Sequence, residues 1–252
     1  MENLYTENQT RIKTGLMLIG GFAIVAIIDN LFLTWFVLGV AYMFAFYEAM
    51  KLFKVKGDYL YAIAVVLWIL AYFYPNPDDL IFLILIAIAS IIAYNKSLEF
   101  KIIYPFLYPS VSFLFLLELY NIGGMSLLIW LIAIVALTDT GAYFVGKSMG
   151  QTQFSPTSPK KTLEGVVGGI LIATVIGSFV GYLSVEFFTA FIISFFVSLS
   201  SVFGDLFESY LKREAGVKDS GDILPGHGGV LDRMDGYLFG SVVLVILFRS
   251  FA

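Results

Sequence analysis

Apolar residues run in nine blocks of 16 to 22 positions, at residues 12–28, 31–47, 59–74, 80–95, 102–120, 125–146, 165–184, 187–204 and 236–251. Each block approaches or reaches the roughly 20 residues that a helix needs to cross about 30 Å of hydrocarbon. The period-two alternation of a membrane β-strand is absent. Between the blocks stand Asp29-Asn30, Lys51 to Asp58, Pro75 to Asp79, Lys96 to Lys101, Gly123-Gly124, Lys147 to Glu164, Val185-Glu186 and Asp205 to Asp235. These polar or turn-forming residues break a helical pattern. The pattern predicts an all-α polytopic membrane protein of about nine transmembrane helices. It predicts two parts: residues 1–124 with helices one to five, and residues 125–252 with helices six to nine and the loops 147–164 and 205–235.

Charge orients the helices. With the N-terminus inside, Arg11, Lys13, Lys51, Lys54, Lys56, Lys96, Lys101, Lys147, Lys160, Lys161, Lys212, Arg213, Lys218 and Arg233 fall on inner segments, leaving only Arg249 outside. Fourteen of the 15 basic residues then obey the positive-inside rule. One span more or fewer would invert every later loop, so count and orientation support each other. The first apolar block lacks a small-residue cleavage site and reads as a retained helix.

Composition agrees: 59% hydrophobic and 13% charged residues over 252 positions leave too little polar surface for a soluble globule. The absence of cysteine excludes disulfides, thiolate metal sites and cysteine nucleophiles. A net charge of -4 without a basic tail offers nothing to nucleic acid. In the seventh block Gly165, Gly168, Gly169, Gly177 and Gly181 include two small-xxx-small pairs, which allow close helix approach.

The chemistry gathers in the two longest inner loops. Asp139 lies about two turns before the first, where an ionised side chain facing lipid would cost at most roughly 2.5–3.5 kcal/mol, so it should face the bundle interior. Residues Gly204 to Gly236 mix Asp205, Glu208, Glu214, Asp219, Asp222, Asp232 and Asp235 with Lys212, Arg213, Lys218 and Arg233. Asp232 and Asp235 share a face if a helix begins there. Carboxylates so gathered suit Mg²⁺, which binds through one or two carboxylates plus substrate phosphate and thereby points to a nucleotide. The neighbouring cations would neutralise phosphoryl oxygens. Backbone amides of Gly226, Gly228 and Gly229 could cradle a phosphate. His227, the single histidine, rules out a histidine-rich metal cluster and is a candidate for phosphate contact or proton transfer. No GxxxxGK[ST] loop is present, which excludes a P-loop NTPase.

The stretch SYLKREAGVKDSGDILPGHGGVLDRMD (Ser209 to Asp235) resembles the signature of the phosphatidate cytidylyltransferases, or CDP-diacylglycerol synthases, of the bacterial type. GDLFES (Gly204 to Ser209), the Asp139 segment and SPTSPKKTLEGVVGG (Ser155 to Gly169) reinforce it in the same order; Leu163 stands where the family often has Trp. The resemblance is firm over about the last 115 residues. It implies an enzyme of the cell (inner) membrane, working on its cytoplasmic side as a homodimer with a cytoplasm-facing polar cavity, that joins CTP to phosphatidic acid to give CDP-diacylglycerol and pyrophosphate. It further implies metal on Asp205 and Asp232, Mg²⁺ with or without a second, monovalent cation. Asp139, Asp235, Lys218, Asp219 and His227 are then the catalytic candidates. Ser158, Lys160, Lys161, Glu164, Lys212, Arg213, Gly228, Gly229 and Arg233 are the substrate-binding ones.

Three other readings compete. A CTP-dependent lipid kinase would also use Mg²⁺ and a lipid acceptor, but would move the γ-phosphoryl group. A CDP-alcohol phosphotransferase would need DGxxAR, whereas Asp235-Gly236 runs into Tyr237-Leu238-Phe239. A transporter is disfavoured because the charges sit on one face rather than at the midplane.

Overall fold

A computed structural model describes residues 2–95 and 98–251. Lys96, counted above among the inner basic residues, lies outside the described residues. The described chain forms eight α-helices: α1 (Glu2–Ile28), α2 (Leu31–Leu52), α3 (Tyr59–Phe73), α4 (Leu80–Tyr94), α5 (Val111–Met149), α6 (Leu163–Gly181), α7 (Phe187–Ala215) and α8 (Leu231–Phe251). Strands β1 (Gln153–Ser155) and β2 (Ser158–Thr162) make one antiparallel hairpin between α5 and α6. The sequence pattern had left this polar stretch as a loop. Alternating apolar residues do not build the hairpin; its ends are pinned by Leu163 N–H donating to Thr152 O and by the Glu164 carboxylate.

Among the described residues, six stretches are long and apolar enough to cross a membrane: Leu31–Leu52, Pro77–Tyr94, Phe100–Met149, Leu163–Gly181, Phe187–Ala215 and Leu231–Phe251. Ile12–Ile28 and Tyr59–Phe73 are apolar but shorter. The fifth and sixth expected segments fall within the 50 residues of Phe100–Met149. That stretch is broken at Gly124, whose φ of 64° and ψ of −157° no helix holds. Two other boundaries differ in a way that matters for function. α7 runs past its apolar block to Ala215, because the charged LKREA end keeps good helix formers. α8 starts at Leu231, which places Asp232 and Asp235 in its opening turns, three apart as the spacing required.

The chain folds into two compact units, Met1–Leu117 with Ala215–Met234, and Glu118–Glu214 with Asp235–Ala252. In the first, α2, α3 and the segment before α5 pack around Tyr42, Phe46, Trp68, Phe106 and Phe113. Away from water each polar atom needs a partner. The Tyr42 hydroxyl meets Ser110 Oγ at 2.8 Å, and the Trp35 and Trp68 indoles each donate to the other's carbonyl, at 2.9 and 3.2 Å.

In the second unit α5 and α6 cross at contact distance. A Cβ on Gly165 would stand 2.6 Å from Ala142 O, and one on Gly169 2.5 Å from Thr138 O, so only glycine lets these backbones meet. Thr138 Oγ1 and Ser198 Oγ join α5 to α7 at 2.7 Å, and the Trp130 indole donates to Ser194 Oγ at 3.1 Å.

Candidate functional site

The α5–α6 crossing determines where the second unit opens. Thr162 caps α6 by accepting Gly165 N–H at 3.2 Å, and its Oγ1 lies against Gly146 and Gly150, where α5 ends. A cavity of about 430 Å³ results, lined by Asp139, Ala142, Tyr143, Gly146, Lys147, Lys160, Lys161, Thr162, Val166 and Asp205. Asp139 thus faces a polar cavity rather than lipid, as its cost in hydrocarbon requires. Lys161 of β2 forms an ion pair with Asp205 of α7, both side chains being about three-quarters buried. Ser209 Oγ donates to the other Asp205 oxygen at 3.4 Å. Asp235 lies within electrostatic range of Asp205, Asp139 and Lys212, so three acids interact inside one unit. Two carboxylates and three lysines on one apolar-walled opening can hold a polyphosphate and, with it, a cation.

The first unit holds seven of the sixteen predicted residues, in the turn between α7 and α8 and the first turn of α8. Leu224 and Gly228 form a β-bridge around Pro225-Gly226-His227, and Gly226 and Gly228 take positive φ of 73° and 83°. Arg233 Nε donates to His227 O at 3.0 Å, bracing this turn. The His227 ring lies near Gly15 of α1, and Thr14 Oγ1 donates to Pro225 O at 2.9 Å. Asp232 is buried. Its Oδ2 accepts Ser220 N–H at 2.8 Å, Ser220 Oγ–H at 2.9 Å and Gly229 N–H at 2.8 Å. Behind it stands Glu48 of α2, fully buried, accepting Val230 N–H, Leu231 N–H and Ser220 Oγ–H.

Asp139, Lys160, Lys161 and Asp205, four residues singled out from sequence, therefore line one cavity, joined by Lys147. Ser158 sits on β2, paired with Ser155. The Glu164 carboxylate accepts Gln151 and Thr152 N–H at 3.1 to 3.2 Å, so it holds the hairpin closed. Lys212 pairs with Glu208 one turn back, at 3.2 Å. Arg213, Lys218 and Asp219 are exposed. The Gly229 N–H, read from sequence as open to a phosphate, is committed to Asp232. Sequence reasoning missed Glu48, Lys147 and Ser220. The available signal for Glu48 was a lone acid set flush against an apolar block, in AYMFAFYEAM.

Among the described residues no three His, Cys, Asp or Glu side chains gather as a ready-made metal site. Mg²⁺ does not need one, since it takes one or two carboxylates and completes its shell with water and substrate phosphate. The donors present, carboxylate oxygens without thiolate or clustered imidazole, fit that ion in kind. At Asp232 the anchored oxygen is Oδ2, which three donors hold in place.

A predominantly helical protein with membrane-length apolar helices and a cavity of acids and lysines has the groups that bind phosphate esters. The chain belongs to the cytidylyltransferase family, whose model matches residues 9–251. It is 48% identical over 249 residues to a phosphatidate cytidylyltransferase of Helicobacter pylori (strain J99), covering 98% of this chain and 93% of that one. It is 38% identical over 205 residues to the enzyme of that name from Thermotoga maritima, covering 75% and 76% of the two chains. With that of Bacillus subtilis it shares 41% over 152 residues, 58% of this chain and 56% of the other.

Proposed function

We propose that this protein transfers the cytidylyl group of CTP to phosphatidic acid, giving CDP-diacylglycerol and pyrophosphate for phospholipid synthesis. The observation that carries the proposal is a near full-length match to phosphatidate cytidylyltransferases in a chain whose acids and lysines line one cavity. In the reaction a phosphate oxygen of the lipid attacks the α-phosphorus of CTP in line. One P–O bond forms, the α–β anhydride bond breaks, and pyrophosphate departs. Lys147, Lys160 and Lys161 neutralise the phosphate oxygens and the leaving group. Asp139 and Asp235 are the further acids of the site. The attacking phosphate is already an anion near neutral pH, so no strong base and no covalent intermediate are needed.

Asp205 and Asp232 are the proposed Mg²⁺ ligands, and the proposed second ion is a monovalent cation. Mg²⁺, when bound, supplies a Lewis acid that withdraws charge from the nucleotide phosphates. Asp205→Asn or Asp232→Asn should abolish turnover while leaving folded protein in the membrane; near-normal activity in either would remove the assignment.

The proposed setting is the inner membrane, as a homodimer, with the N-terminus and the site cytoplasmic and nine crossings. Nine is reached by adding to the six long stretches the two shorter apolar helices and a second pass within the 50 residues of Phe100–Met149. Fourteen of 15 basic residues then lie inside.

The test is a product assay with purified protein, Mg²⁺, phosphatidic acid and α-labelled CTP. Label entering the lipid with one pyrophosphate per label supports the proposal. Labelled CDP left in water, with none in lipid, supports a CTP-dependent kinase instead.

A further inference from the structure

We infer that Glu48 is a positioning residue for Asp232, and that Glu48, Ser220 and Asp232 form a buried clamp that fixes the start of α8. The geometry stands by itself; the consequence for turnover rests on the cytidylyl-transfer reading above.

Glu48 has no exposed surface. A carboxylate removed from water is tolerated only with strong partners, and Glu48 finds them more than 170 residues away in sequence. Its Oε1 accepts Val230 N–H at 2.9 Å, and its Oε2 accepts Leu231 N–H at 2.8 Å and Ser220 Oγ–H at 3.1 Å. Val230 and Leu231 supply N–H groups that α8 cannot satisfy internally, at the helix end that carries positive partial charge. Two carboxylates thus flank the two residues before Asp232: Glu48 holds the amides of 230 and 231, and Asp232 reaches back to the amides of 229 and 220.

Ser220 couples them. Its single hydroxyl proton is shared between Glu48 Oε2 and Asp232 Oδ2, at 3.1 and 2.9 Å. The space is also closed: a Cβ on Gly221 or Gly229 would come within 2.5 Å of Glu48 Oε1. These two glycines are small because Glu48 fills the volume beside them. Glutamine cannot replace Glu48, since its amide NH₂ would face an N–H donor where a second acceptor is required. Without Glu48 the first turn of α8 loses acceptors on both residues before Asp232, and the carboxylate is released from its fixed orientation.

The experiment compares wild type, Glu48→Gln and Ser220→Ala as full-length protein in nanodiscs. One readout is amide hydrogen–deuterium exchange over residues 220–232, with 163–181 as internal control. The other is the Mg²⁺ dependence of cytidylyl transfer. In Glu48→Gln the amides of 229–232 should exchange about 10- to 100-fold faster, the effect of losing a charge-assisted hydrogen bond, with the control unchanged. The Mg²⁺ concentration for half-maximal rate should rise about tenfold, with kcat at saturating Mg²⁺ within about threefold of wild type. Ser220→Ala should show a smaller Mg²⁺ shift of about threefold, because the backbone bonds to Glu48 survive.

Wild-type exchange over 229–232 in Glu48→Gln overturns the clamp. So does a fall in kcat with unchanged Mg²⁺ dependence, which is what a merely stabilising residue would give. If Glu48→Gln does not fold, Ser220→Ala decides, and a wild-type Mg²⁺ half-saturation there overturns the inference. If wild-type protein makes no CDP-lipid, the transfer reading fails, and the exchange result, which needs no substrate, decides the clamp alone.

Discussion

Gly169→Ala tests whether the α5–α6 crossing sets the cavity. The added Cβ would stand 2.5 Å from Thr138 O, 2.8 Å from Ala142 N and 3.0 Å from Ala142 Cβ. Carbon normally keeps at least about 3.4 Å from such atoms, so the backbones must separate by about 0.9 Å. No rotamer change relieves the clash, because two of the three atoms are backbone. A gap of 0.5–1 Å forfeits roughly a quarter to a half of the dispersion attraction of each contact across the seam. Against this, alanine gains about 1 kcal/mol of helix propensity over glycine. Overpacking of this kind costs about 1–3 kcal/mol, so the net effect is a loss of up to about 2 kcal/mol. Ala142 lines the cavity, so the shift also moves Asp139 and Tyr143 relative to Lys161. A 1 Å misplacement of this sort can cost on the order of 100-fold in rate. The assay is thermal unfolding in detergent alongside kcat/KM for CTP. Gly21→Ala is the control, since a Cβ there meets no described atom within 4 Å. A Gly169→Ala protein as stable and active as Gly21→Ala would refute the argument.

Other perturbations follow from single contacts. Lys161→Met removes the ion-pair partner of Asp205 and a cavity cation, and should lower kcat/KM about 10- to 100-fold; steady-state kinetics with Lys160→Met as comparator would check it, and equal, small effects would sink it. Glu164→Gln leaves one acceptor for the Gln151 and Thr152 amides, so limited proteolysis between residues 151 and 157 should accelerate several-fold without loss of the membrane-embedded core. Arg249→Met takes the guanidinium from Glu118, which is 1% exposed, and should destabilise by roughly 2–3 kcal/mol, less than for a fully buried pair because Arg249 is itself 37% exposed. Combining it with Glu118→Leu should recover most of that loss in the same melting assay.

Hydropathy alone determined that the chain is helical and membrane-embedded, because a bilayer demands internally satisfied backbone and leaves long apolar runs as the signature. The loop motifs marked Asp139, Lys160, Lys161 and Asp205 because charge beside hydrocarbon persists only where it works or pairs. Sequence spacing also placed Asp232 and Asp235 on one helical face, three residues being close to one turn. Other features were decided only in three dimensions. The hairpin over α5 depends on Glu164 capturing two amides, a contact with no periodic trace in the sequence. The cavity depends on Gly165 and Gly169 meeting the α5 backbone, where a small-residue pattern says that helices approach but not which ones. Glu48 looked like the polar end of an apolar block, and its role exists only because folding brings the amides of Val230 and Leu231 to it. Local pattern records what a segment must bury, whereas the partner of a buried charge is set by chain topology across nearly the whole sequence.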